Sequence, residues 1–146
     1  ERMQEVVLFP GVSDAVVSAC SCWHKDKGRF EKPFLQDGQL SWNAGKHPPA
    51  WIQIDLGEVY TVSFLRLQVV QLPHELTTEH LFKVGTDENS LQTVKQLNSH
   101  TSNGDELKID FEPQDTRYVR IETVSSQSWV AWNNIRVCTL TSAKSA

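Results

Sequence analysis

The segment Ser125-Ser126-Gln127-Ser128-Trp129 sets a large apolar ring at the end of a polar run. A ring in that position either packs inward or meets a ligand. The ligand chemistry it suits is stacking against the less polar face of a sugar, while a few fixed polar side chains select the hydroxyl pattern. Catalytic chemistry finds no matching pattern. The chain has no Gly-x-Ser-x-Gly elbow, no His-Glu-x-x-His, no phosphate-binding glycine loop and no Cys-x-x-Cys. No spacing proposes a nucleophile with its base, or two facing carboxylates. Cys20-Ser21-Cys22 with His24 comes nearest to a metal cluster, but it lacks a second ligand group at zinc spacing and reads as ordinary strand residues. A binding domain is expected, not an enzyme.

The elements that would position such a ring are strands. Period-two alternation dominates from residue 51 onward and helical periodicity is nowhere sustained. Leu65, Leu67 and Val69 share one face while Arg66 and Gln68 take the other, and Leu107, Ile109 and Phe111 alternate with Lys108 and Asp110. Val119 and Ile121, then Ile135 and Val137, repeat the pattern. These are half-buried strands of a sandwich. Trp51-Ile52-Gln53-Ile54-Asp55-Leu56-Gly57 reads as a strand entering a tight glycine turn. Further turns are expected at Leu72-Pro73-His74-Glu75, Asp87-Glu88-Asn89-Ser90, Ser102-Asn103-Gly104-Asp105 and Glu112-Pro113-Gln114-Asp115, with Asn103-Gly104 a hairpin signal. An antiparallel all-β sandwich follows. Trp42, Trp51 and Trp132 are expected in its core, and His80 and His100 in structural roles. The first fifty residues are irregular, and loops of that kind gather at the ends of a sandwich and carry recognition.

At 146 residues the chain fits one domain spanning 1–146, long enough to bury roughly two-thirds of its unfolded surface without a disulfide scaffold. Lys+Arg 14 against Asp+Glu 18 gives a formal net charge of −4 with no basic run, which argues against a nucleic-acid partner. No apolar stretch approaches the ~20 residues of a membrane span, and the start Glu1-Arg2-Met3-Gln4 has no signal-like pattern. A soluble domain, part of a larger protein, is expected. Three cysteines are an odd number, so at least one thiol stays free or pairs with another chain. That, and the lack of any Asn-x-Ser/Thr sequon, leans intracellular, with an extracellular location left open.

Trp51-Ile52-Gln53-Ile54-Asp55-Leu56-Gly57-Glu58-Val59-Tyr60, then Arg117-Tyr118-Val119-Arg120-Ile121, then Trp129-Val130-Ala131-Trp132 resemble, in that order, the hallmarks of the discoidin family. These are also called coagulation factor 5/8 type C domains, and their lectin-like members are family 32 carbohydrate-binding modules. The resemblance covers about residues 10–140. It implies a jelly roll of about eight strands, a binding site on end loops and no catalysis. Extracellular members often tie their ends with a disulfide, and Cys138 stands where its second half would be; a bond to Cys20 or Cys22 and a set of buried thiols are both consistent with the sequence.

The family's galactose-type sites combine His, Arg and Asn side chains with an aromatic platform. That implies His47, His74, Asn43, Gln71 and Arg29 as polar partners of Trp129, since imidazole and guanidinium offer directional donors to an axial hydroxyl. The family's carbohydrate modules also hold a structural calcium ion, for which the matching residues are Asp37 with Gly38, Ser41 and Asn134. The interval from Asp37 to Trp42 is shorter than usual and neutral Asn134 replaces an expected Glu. Both changes weaken the site, and Asp37-Gly38 reads equally well as a plain turn. Some members bind phospholipid through apolar tips ringed by basic residues. Phe30 and Phe34 lie near Lys25, Lys27, Arg29 and Lys32, but Asp26, Glu31 and the net charge argue against it. A galactose-type glycan or glycoprotein is therefore the first expected partner, a protein partner in a larger assembly the second, and a phospholipid surface the third.

Overall fold

The computed structural model describes residues 2–11, 15–20, 35, 36, 39–71, 73 and 75–143. Among the described residues there are nine strands and no helix. They are β1 (Arg2–Phe9), β2 (Val16–Ala19), β3 (Leu35–Gln36), β4 (Gln39–Asn43), β5 (Ala50–Val70), β6 (Glu75–Gly85), β7 (Gln92–Ser102), β8 (Glu106–Ser125) and β9 (Ala131–Ala143). Every pairing is antiparallel. The expected jelly-roll sandwich is the fold.

Two long strands build both layers. The first part of β5 pairs with β2 and with the last part of β8, which continues to β6 and β7. The second part of β5 pairs with the first part of β8 and with β9, whose far edge takes β4 on one half and β1 on the other. Between the layers lie Ile52, Ile54, Leu56, Phe82, Val119 and Ile121, facing Val62, Leu65, Leu67, Ile135, Val137 and Trp132. Each such side chain contributes about 1.5–3 kcal/mol by leaving water.

The expected glycine turn at Gly57 is instead a corner within one strand. Gly57 has φ 86°, and the pairing register of β5 with β8 breaks between Asp55 and Tyr60. A clamp holds the bend: the Gly57 N–H donates to Asp55 Oδ1 at 2.9 Å, and Arg117 donates through Nε to Oδ1 at 2.9 Å and through Nη2 to Oδ2 at 3.2 Å. The Arg117 guanidinium lowers the Asp55 pKa below the usual carboxylate value. Asp55, Gly57 and Arg117 thus explain two sequence hallmarks as one device that carries β5 and β8 from layer to layer.

Three other expectations are corrected. Asn103-Gly104 does turn, with Gly104 at φ 91°, but it joins β7 of one layer to β8 of the other and is not a hairpin; its backbone bonds to Val69 of β5. The hairpin of that region is Asp87–Ser90, where Ser90 N–H donates to the Asp87 carbonyl and β6 pairs with β7. The expected turn at Glu112-Pro113-Gln114-Asp115 is instead continuous strand: Gln114 and Asp115 pair with Val62 and Thr61, and Glu112-Pro113 fall in a bulge of β8, seen as the register shift between Val62 and Phe64 on its partner. Proline is accommodated at a bulge because no ladder N–H is needed there. Trp42 and Trp132 are buried as expected, but Trp51 is only half-buried and lies under the Arg120 guanidinium at 4.2 Å.

Cys138 is buried on β9 and is a free thiol, so the end-tying disulfide is not made there. Burial pushes its pKa up to about 11. Cys20 Sγ accepts the Trp51 N–H at 3.3 Å, and Cys22 lies outside the described residues.

Candidate functional site

The pairing of β4 with β9 decides which loops meet. Trp42 stands opposite Trp132 and Asn43 opposite Ala131, so the chain leaving β4 must run beside the chain entering β9. Two backbone bonds lock them together: Ala44 N–H to the Val130 carbonyl at 2.8 Å and Val130 N–H to the Lys46 carbonyl at 3.0 Å. Ala44 and Val130 are buried, which anchors both loops at their roots. Asn43 Oδ1 accepts the Gly45 N–H at 2.8 Å and Gly45 takes φ 69°, a tight turn that lifts Lys46 and His47 into solvent. On the other loop the Ser128 hydroxyl donates to the Trp129 carbonyl at 2.8 Å while Ser126 Oγ accepts the Ser128 N–H at 3.0 Å.

Trp129 remains 38% exposed on this braced frame. It walls a pocket of about 290 Å³ together with Asn43, Gly45, Lys46 and His47. Three residues expected from the sequence, Trp129, His47 and Asn43, therefore line one cavity. Lys46 and Gly45 join them unforeseen. Lys46 lies between Asn43 and His47 in the same loop, and its ordinary solvated chemistry gave no reason to single it out. The described lining offers an aromatic face, the Asn43 Nδ2 donors, an ammonium and an imidazole, with no carboxylate among them. It suits hydroxyl-rich ligands with one apolar face.

Behind Trp129 lies a polar layer. His80 is 5% exposed; its Nδ1 is 2.9 Å from the Thr123 hydroxyl and its Nε2 is 3.0 Å from that of Thr78. Its ring packs against that of Trp132 in a T-shaped arrangement, with the ring centroids 4.7 Å apart. Burial lowers its pKa to about 4, so the ring is neutral and structural, as expected. Gln71 belongs to this inner layer and not to the 290 Å³ pocket. Its Nε2 donates to the Thr101 carbonyl at 2.6 Å and its Oε1 accepts the Thr101 hydroxyl at 2.9 Å, which ties β5 to β7.

A family model for the F5/8 type C domain matches residues 16–137. The chain belongs to the F5/8 type C domain family. Solved structures of similar fold include the family 32 carbohydrate-binding module of C. perfringens NanJ in complex with galactose. That match has TM-score 0.70 and 14% identity, over 93% of this chain and 100% of that one. A second is the CpGH89CBM32-5 module from Clostridium perfringens in complex with GalNAc-beta-1,3-galactose, at TM-score 0.67 and 14% identity over 90% and 99%. A third is the CBM32 of AlyQ in complex with 4,5-unsaturated mannuronic acid, at TM-score 0.62 and 21% identity over 83% and 92%. At these identities the likeness is one of fold. No curated protein sequence matches the chain.

Of the residues matched to a calcium site by resemblance, Asn134 is the one whose side chain is described, and it fits a cation poorly. Asn134 takes φ 56°, a left-handed conformation that Asn tolerates better than Glu. Its Nδ2 donates to Gln68 Oε1 at 3.0 Å, and it shares a groove with Arg66, Lys108 and Arg136, whose charge opposes calcium. Asp37 and the side chain of Ser41 lie outside the described residues, as do His74, Arg29 and the Phe30 to Phe34 segment of the phospholipid expectation. Among the described residues no three His, Cys, Asp or Glu side chains cluster as metal ligands.

Proposed function

We propose that this F5/8 type C domain is a non-catalytic carbohydrate-binding module whose site is the pocket between the β4 and β9 loops. The observation that carries the reading is Trp129, left partly exposed on a hydrogen-bonded frame and facing Asn43, Lys46 and His47 across about 290 Å³. That volume is at the small end of ligand pockets, a scale for one or two sugar rings. The ring would stack on the apolar face of the sugar, and the Asn43 amide, His47 imidazole and Lys46 ammonium would bond its hydroxyls. A galactose-type sugar suits this arrangement, because its axial hydroxyl and its apolar face present donors and ring to different walls. A concave pocket of this size favours a small ligand over the flat apolar patch that a protein partner would need.

A single sugar would be held weakly, in the millimolar range or about −4 kcal/mol, with useful avidity coming from several modules or from attachment to a larger protein. The test is a glycan array and a titration with galactose-type oligosaccharides, using wild type and Trp129→Ala. We expect binding to one glycan class and its loss in Trp129→Ala with the fold intact. Multivalently displayed wild-type protein that is folded and binds no glycan would overturn the reading and favour a protein partner.

A further inference from the structure

The outer face of the second layer carries a row of like charges that folding does not require. Arg66 of β5 stands directly opposite Arg136 of β9 on one side and Lys108 of β8 on the other. Cross-strand partners sit about 5 Å apart at Cβ, and like charges directly opposite destabilise a sheet. All three line a groove of about 260 Å³, which they share with Gln68, Asn134 and one carboxylate, Glu106. Three cations against one anion line this groove on a chain whose formal net charge is −4.

Two more carboxylates stand outside the lining: Glu5 Oε1 accepts Arg66 Nη2 at 2.6 Å, and Asp110 is 3.5 Å from Lys108 Nζ. Both pairs are well exposed, and such pairs contribute at most about 1 kcal/mol. They leave further guanidinium and ammonium donors for a ligand. The heads of Arg66 and Lys108 are also placed by the buried Phe64 ring, at 5.3 and 4.7 Å from its centroid. Gln68 is used on both sides of its amide, by Asn134 and by the Gly104 carbonyl, so Asn134 Oδ1 is the acceptor that the amide pair turns to a ligand.

We propose that this groove is a second binding site, for an acidic oligosaccharide. From Lys108 to Arg136 the row spans two strand spacings, about 10 Å. One carboxylate cannot bridge that span, whereas a saccharide with acidic groups on successive residues can. Its carboxylates or sulfates are held by Arg136, Lys108 and Arg66, and a ring hydroxyl donates to Asn134 Oδ1. The groove shares no lining residue with the Trp129 pocket, so the site stands whether or not that pocket binds sugar.

The experiment is a titration of the intact chain with an oligogalacturonate, a sulfated oligosaccharide, a neutral galacto-oligosaccharide and phosphatidylserine vesicles. It is run on wild type, on Arg136→Gln combined with Lys108→Gln, and on Trp129→Ala. The acidic oligosaccharides should bind wild type, with the preferred one of the two naming carboxylate or sulfate as the group read. The double variant should weaken binding about tenfold or more, as expected for losing two charge-assisted contacts, and Trp129→Ala should leave it unchanged. Without ligand, the double variant should melt at the same temperature as wild type or higher, since it relieves like-charge repulsion; a merely structural role would lower it. The proposal is overturned by acidic oligosaccharides that bind no better than neutral ones, by binding that the double variant leaves intact, or by binding that falls with Trp129. Binding to the vesicles alone would equally overturn it and assign the groove to a membrane surface.

Discussion

Lowering the pH from 7 to 5 should destabilise this domain through one residue, His80. The ring is buried between Thr78, Thr123 and Trp132, and desolvation brings its pKa from 6.5 down to about 4. The folded state therefore resists a proton that the unfolded chain accepts readily. Stability is at its full value above pH 6.5, falls as the pH drops below that, and stops falling near the folded pKa. A shift of that size amounts to about 3 kcal/mol in all, with about 2 kcal/mol of it lost between pH 7 and pH 5. For a chain of this length that is a fall in Tm of roughly 4–8 °C. The assay is urea unfolding followed by tryptophan fluorescence at several pH values, on wild type and on His80→Gln. The variant starts less stable, but its side chain cannot charge, so its stability should change with pH about 2 kcal/mol less than that of wild type. Parallel curves for the two proteins would refute the reasoning, as would an NMR titration placing His80 above pH 6.

Other expectations follow from single features of the fold. Gly57→Ala should destabilise the domain by about 1–2 kcal/mol, because the corner of β5 needs a positive φ that an L side chain resists; unchanged urea midpoints would mean that the corner is not held in that conformation. The Cys138 thiol, buried and with its pKa pushed up to about 11, should be inert to thiol reagents at neutral pH in the native state and react once urea unfolds the chain; fast native labelling traced to Cys138 by mass spectrometry would contradict its burial. Millimolar calcium should leave the Tm unchanged, given the cations around Asn134. Saturating a site a hundredfold above its Kd would add about 2.7 kcal/mol, so a rise of several degrees would mean that the Asp37-Gly38 segment builds a calcium site without help from Asn134.

Local chemistry was readable in the sequence wherever one residue's own preference decides the outcome. Alternation at Leu65, Leu67 and Val69 and at Ile135 and Val137 marked strands with one buried face, since the pleat sends successive side chains to opposite sides. Asn103-Gly104 and Asp87–Ser90 were turns for the same kind of reason. Trp129 stood out because a large ring beside three serines has no local partner. The pairing of those elements was beyond the reach of the pattern. Asn103-Gly104 looks locally like any hairpin, and only the packing of two layers sends β7 and β8 to different sheets. Pro113 signals a break, but a break in one strand of a ladder is a bulge. Phe64 and Cys138 fall on the outward side of their strands and are nonetheless fully buried, the ring of Phe64 beneath Arg66 and Lys108.

The same division holds for function. The sequence by itself determined that the chain is an all-β domain of the discoidin type, and it offered Trp129, Asn43 and His47 as candidates to meet a ligand. Only the tertiary structure decided that these three share a cavity and that Gln71 does not, because β4 must pair with β9 for their loops to touch. It alone placed Lys108, Arg66 and Arg136 side by side. They are far apart along the chain and look there like ordinary solvent-facing charges, and register across three strands is a long-range outcome of burying the opposite face of the sheet.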